Sequence, residues 1–125
     1  MSSPKNVDKR RVWWASEEAR AEYLGLPSEV REMADFATTN LQNDREHETT
    51  KLKGKLKDIE EAKCNHGGEA YRVFYVRDAT DRLGILGALH KKSPKGKKMT
   101  KSWEDRLHKR RVALLAEWRE GKGRK

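Results

Sequence analysis

Six lysines, Lys91, Lys92, Lys95, Lys97, Lys98 and Lys101, crowd into the stretch that follows the apolar run Leu83–Leu89. Ammonium groups act as point charges on phosphate, and packing them together costs free energy unless a polyanion neutralises them. Pro94 and Gly96 shape the turn, and a loop leaving a core strand is held at its root with its tip open to solvent. On composition alone a solvated loop is the plainer account of such a charge run. A second candidate is Arg72, in the middle of "EAYRVFYVRD". A mid-strand arginine is expensive to bury unless it is paired or reaches solvent. It can snorkel at a sheet edge or pair with Glu60 or Glu61 on a neighbouring strand, or make a bidentate contact with a phosphate on a concave sheet face. His90 and His108 lie near the cluster. Either has the intrinsic pKa of a general base near neutral pH, although a lone histidine is more often an ordinary polar residue. Cys64 and His66 resemble half of a metal site, but zinc needs three or four ligands and no second pair follows; they read as turn residues. Gly-rich phosphate loops, Ser/His/Asp spacing and zinc-finger spacing do not occur.

The elements that must position these groups fit one domain of 125 residues. Hydrophobic residues make up 34% and charged residues 39%, so the core is small and four tryptophans help to anchor it. The net charge of +9 points to nucleic acid or another polyanion as partner. A single cysteine argues against a secreted disulfide scaffold. The N-terminus lacks a signal-peptide pattern, and no run approaches the ~18 apolar residues of a membrane span. The expected compartment is the cytoplasm, with no membrane partner.

Residues 1–9 read as a disordered start, 10–119 as the folded domain and 120–125 as a basic tail. Val12–Trp14 is long enough for one strand. Ser16 caps a helix whose first turn carries Glu17 and Glu18, and Gly25 ends it in a left-handed conformation. Pro27 opens a second helix, with Leu26, Val30, Met33, Ala37 and Leu41 on its apolar face. Residues 42–55 are polar and irregular. Leu56–Lys63 is a weak strand, "CNHGG" a turn and "EAYRVFYVRD" the clearest strand. On that strand Tyr71, Val73 and Tyr75 face one way, and Arg72, Phe74 and Val76 the other. Leu83–Leu89 follows, so three adjacent strands predict an antiparallel meander. Thr100 or Ser102 caps a last helix with Trp103, Leu107, Leu114 and Trp118 on one stripe; the tryptophans read as core. The fold class is α+β, helices on one twisted sheet.

Taken together these motifs resemble a known family. "AYRVFYVRDATDRLGILGALHKKSPKGKKMTKSWEDRLHKRR" is similar to the C-terminal half of HigB-like toxins of the RelE/ParE superfamily, in the phage-derived branch. The matching segments are Tyr71-Arg72-Val73-Phe74-Tyr75 and Leu86-Gly87-Ala88-Leu89-His90-Lys91-Lys92-Ser93. Upstream, "GLPSEVREMADFATTNLQ" resembles the family's Leu-Pro helix, and the resemblance spans about residues 12–115. The chain departs from the pattern at Gly87, where His is frequent, at Leu89, where Phe is frequent, and at Ile59–Lys63, where the family often reads Glu-Leu-Arg.

The resemblance implies a RelE-like fold and the toxin of a type II toxin–antitoxin system. Such a toxin is a ribosome-dependent mRNA endonuclease that stops translation. The ribose 2′-hydroxyl attacks the adjacent phosphate, which requires a base, cations for the transition state and an acid for the leaving oxygen. Lysine and arginine can supply the charge without a metal, and no cofactor is implied. Arg72 is the expected transition-state clamp. Lys91 and Lys92 follow as phosphate-binding or proton-transfer groups, with Lys57 facing the same groove and His90 as a candidate base. Repulsion within the cluster would lower a lysine pKa. Lys95, Lys97, Lys98 and Lys101 would hold RNA, both mRNA and ribosomal RNA. The implied partners are the ribosome and a cognate antitoxin, a helix-turn-helix protein. Two alternatives share these residues: a ParE-like gyrase inhibitor that cuts no RNA, and a basic phage protein that binds nucleic acid or a host regulator.

Overall fold

The strands alternate between two hydrophobic clusters, and that alternation puts helices on both faces of the sheet. A computed structural model describes residues 9–78, 81–91 and 99–121. The elements are β1 (Arg11–Trp14), α1 (Glu17–Leu24), α2 (Ser28–Gln42), β2 (Thr50–Lys51), a 3₁₀ turn (Gly54–Leu56), β3 (Glu60–Lys63), β4 (Ala70–Arg77), β5 (Arg82–Lys91) and α3 (Lys101–Arg119). The strand order is β1-β5-β4-β3-β2. This is the α+β architecture expected from the sequence.

One cluster joins the α1–α2 hairpin to the sheet through Tyr23, Val30, Ala34, Leu41, Val73, Tyr75 and Ile85. The other joins α3 to the opposite face through Phe74, Val76, Leu86, Trp103, Leu107, Leu114 and Trp118. Each large side chain fully buried this way contributes about 1.5–3 kcal/mol. The facing of β4 and the apolar stripe of α3 thus match expectation. The helix starts also have their predicted caps. Ser16 Oγ accepts from the Ala19 amide at 3.0 Å, and Thr100 Oγ1 accepts from the Trp103 amide at 3.2 Å.

Other expectations need correction. The meander β3-β4-β5 is antiparallel, but β1 joins β5 in parallel and β2 adds an antiparallel edge. The strand expected over Leu56–Lys63 is confined to Glu60–Lys63. Leu56 and Ile59 instead turn under α3 into the second cluster, and Asp58 takes φ +79° to make that turn. Gly25 is right-handed, with φ −85°. Its lack of a side chain is used for close packing, since a Cβ would lie 3.0 Å from the Ala21 carbonyl oxygen. On α2, Val30, Ala37 and Leu41 are buried as expected, but Ala34 takes the place of Met33, which is 37% exposed.

Between Phe74 and Tyr75 the register to β5 slips, from Phe74↔Gly87 to Tyr75↔Ile85. This bulge lies where β1 stops covering β5, since β1 pairs only as far as Ile85. An ion pair takes over. Arg110 of α3 binds Glu22 of α1 through two bonds of 2.8 and 2.9 Å. Arg110 also donates to the Leu86 carbonyl at 2.9 Å, and the Ala88 amide donates to Glu22 at 3.3 Å. A Cβ at residue 87 would sit 2.6 Å from Arg110 Nη1 and 2.7 Å from Glu22 Oε1. Glycine is therefore what lets the pair close over the strand edge, and a polar cap there blocks stray strand pairing.

Candidate functional site

Arg72 lies near the start of β4, opposite Leu89 of β5 and Lys63 of β3. Ala70 pairs with Lys91. Because directly opposed residues share a face and alternate residues return to it, Arg72, Lys91, Leu89, Lys63 and Glu61 all belong to the α3-side face.

The arginine is held tightly. It is 6% exposed. Its Nη1 donates to Asn65 Oδ1 and to the Tyr71 carbonyl, both at 2.9 Å. Its Nε stands 3.6 Å from Glu61 Oε2. Asn65 sits in the β3–β4 turn, which Gly67 and Gly68 close with positive φ. The carboxylate pairing weighed from the sequence is therefore present, through Glu61; Glu60 instead binds Arg77 at 2.8 and 3.0 Å. Glu61 and Lys63 also border a hollow of about 270 Å³ lined by residues 47–50. An arginine fixed beside a carboxylate, with lysines on the same face, can hold an anion and move a proton.

His90 is placed differently. It lies opposite Tyr71, on the face turned away from Arg72. Its ring stacks on Tyr71 at 4.4 Å, and its Nε2 is 2.7 Å from Glu69 Oε1. Lys57 is also separated from Arg72. It lines a cleft of about 630 Å³ with Val76, Arg77 and Asp58, at the far end of β4. Five residues of strand between positions 72 and 77 span about 16 Å, so Lys57 does not face the Arg72 groove as expected. Lys101 opens α3 and is exposed. Lys92, Lys95, Lys97 and Lys98 lie outside the described residues.

Cys64, next to this turn, is buried, and burial pushes its thiol up to about 11 against a small opposing pull from the Arg72 charge. Among the described residues no three His, Cys, Asp or Glu side chains gather as a metal site, and no helix is long and apolar enough to cross a membrane. Sequence reasoning missed Asn65 as the partner of Arg72. The only signal was its place in a Gly-Gly turn that returns the chain beside residue 72.

Residues 21–111 match the family described as phage derived protein Gp49-like (DUF891). The chain belongs to that family. Gp49-like proteins are a RelE/HigB-type toxin family, the branch its motifs resemble. The match takes in Glu61, Asn65, Arg72, His90 and Lys91 together. Among solved structures, this Gp49-like chain is similar to a chain of the toxin–antitoxin complex RelBE2 from Mycobacterium tuberculosis. The identity is 24% and the TM-score 0.49, covering 68% of this chain and 100% of that one. No curated protein sequence matches.

Proposed function

We propose that this protein is the toxin of a type II toxin–antitoxin system and acts as a ribosome-dependent mRNA endonuclease. Membership of a RelE/HigB-type family supports the toxin role. The observation that carries the chemistry is Arg72, nearly buried yet fixed by Asn65 and Glu61 on a face shared with Lys91.

In this reading the scissile phosphate docks on that face. Arg72 and Lys91 neutralise the charge that grows on the phosphoryl oxygens. A buried, pre-oriented guanidinium is worth more there than a solvated one, because little reorganisation is left to do as charge develops. Glu61 takes the proton of the ribose 2′-hydroxyl as that oxygen attacks phosphorus. The P–O5′ bond breaks, giving a cyclic phosphate and a 5′-hydroxyl. Lys91, or a lysine of the following cluster, returns a proton to the leaving oxygen. His90 takes no part, because it faces away. The +9 charge favours a ribosomal RNA setting, and a cognate antitoxin of helix-turn-helix type is the expected partner of such a toxin.

The deciding experiment is induction of Arg72→Ala in bacteria, with RNA 5′ ends mapped and the variant shown to be folded. Loss of codon-linked cuts is expected. Full cleavage by the folded variant would remove Arg72 from the mechanism. Growth arrest of the unaltered protein with DNA damage and no new RNA ends would replace the nuclease reading with a gyrase-directed one.

A further inference from the structure

The face away from Arg72 carries a different kind of site. Where the α1–α2 corner meets the end of β5, a slot of about 420 Å³ opens. Leu26 and Pro27 line it from the corner, Tyr71 and His90 from the strands, and Glu22 from α1. The Tyr71 and His90 rings are nearly parallel, 15° apart. The contact of His90 with Glu69 fixes the imidazole, so the aromatic surface is already ordered.

The polar chemistry of the slot favours a cation. Glu22 engages Arg110 through both oxygens and accepts the Ala88 amide on one of them. A carboxylate has about four acceptor sites, so one remains on Oε2. The surroundings act in the same direction. The α1–α2 hairpin bears Glu17, Glu18, Glu22, Glu29, Glu32 and Asp35 against Arg20 and Arg31. On a chain of net charge +9 this hairpin is a locally acidic element, and its charge favours a cation over phosphate on the α1–α2 side of the slot, while Lys91 follows His90 on the strand side. A guanidinium is planar, stacks on aromatic faces and can donate a single N–H to the site left on the carboxylate.

We propose that this slot receives an arginine side chain from a partner protein. The arginine plane lies along the Tyr71–His90 pair and donates to Glu22 Oε2. The partner rests on the α1–α2 side of the slot and leaves the Arg72 face uncovered. Docking and cleavage therefore belong to opposite sides of one sheet.

The test titrates N-acetyl-arginine methylamide into the isotope-labelled full chain and follows the Tyr71, Ala88 and His90 resonances. Saturable shifts at these residues are expected. The lysine analogue should bind about tenfold more weakly, since it lacks the planar guanidinium that stacks on the rings. Ala21→Phe, an exposed helix position lining the slot, should fill it and abolish the shifts with the unfolding midpoint unchanged. His90→Ala, at the exposed end of the stack, should weaken binding several-fold. The proposal is overturned if the arginine probe leaves these resonances unmoved. It is equally overturned if the shifts persist in Ala21→Phe, or if guanosine monophosphate moves them and arginine does not.

Discussion

Gly87→Ala should cost far more than an alanine in a strand normally does. The added methyl would lie 2.6 Å from Arg110 Nη1 and 2.7 Å from Glu22 Oε1, so the pair must open. Two charge-assisted bonds and their contacts to Leu86 and Ala88 are then lost or stretched. Hydrogen bonds to charged groups contribute about 1.5–3 kcal/mol each. The side chains of Arg110 and Glu22 are 10% and 24% exposed, so water recovers part of this and about 3 kcal/mol is a fair loss for the pair. The φ of +152° adds about 1 kcal/mol of backbone strain. The sum, about 4 kcal/mol, is a large share of the 5–15 kcal/mol that holds a domain of this kind together. At about 4 °C per kcal/mol, the melting temperature should fall by about 15 °C, and urea unfolding should show a lower midpoint at unchanged slope. The decisive comparison repeats Gly87→Ala in a Glu22→Ala, Arg110→Ala background. There the nearest remaining neighbour is Trp103 Cη2 at 3.5 Å, ordinary contact, and only about 1 kcal/mol of strain should remain. Equal costs in the two backgrounds would refute the assignment of Gly87 to the ion pair.

Four further outcomes are expected. Asn65→Ala removes one bond to Arg72 from an exposed turn, so cleavage should slow about tenfold, the worth of a single hydrogen bond. The effect should appear in kcat rather than KM with the unfolding midpoint kept, and unchanged turnover would show that Asn65 does not orient Arg72. Cys64, buried with its thiol raised to about 11, should resist iodoacetamide at pH 8 until denaturant is added; rapid stoichiometric labelling of the native protein would contradict this burial. Asp44 is held below the usual carboxylate range by Arg10 first and Lys9 second. Its contribution is present above the ordinary value near ~4 and fades as pH falls through the lower folded value. Its side chain is 40% exposed, so Asp44→Asn should cost about 0.5 kcal/mol near neutrality and nothing near pH 2, as read from urea midpoints. Thr38 joins the Tyr23 and Tyr75 hydroxyls, each 2.9 Å away, so Thr38→Val should cost about 1–3 kcal/mol by leaving buried phenols short of a partner; near-neutral unfolding data would show that the two hydroxyls re-pair.

Much of the fold was legible because local rules and burial agree in it. The alternation on β4, the tryptophan stripe of α3 and the Ser16 and Thr100 caps are all short-range patterns. The misses arise where distant packing overrides them. Nothing near Val12–Trp14 says that this strand docks in parallel on β5. Leu56 and Ile59 have the side chains of a strand but are drawn under α3. The site was half legible. Arg72 could be singled out because a mid-strand arginine demands an explanation, and Glu61 was in view as one of its partners. Asn65 was not, since its role depends on a turn bringing it back beside the strand. Lys57 and His90 were misplaced relative to Arg72 because neither a family resemblance nor sequence proximity to a basic run specifies the sheet end or face.

The parallel docking of β1 on β5 brings together residues about 70 positions apart. Pairings of such long reach form late, because the intervening chain must first be made and gathered. During synthesis the first strand emerges early and waits, unable to find its seat until Arg82–Ile85, the first four residues of the last strand, have cleared.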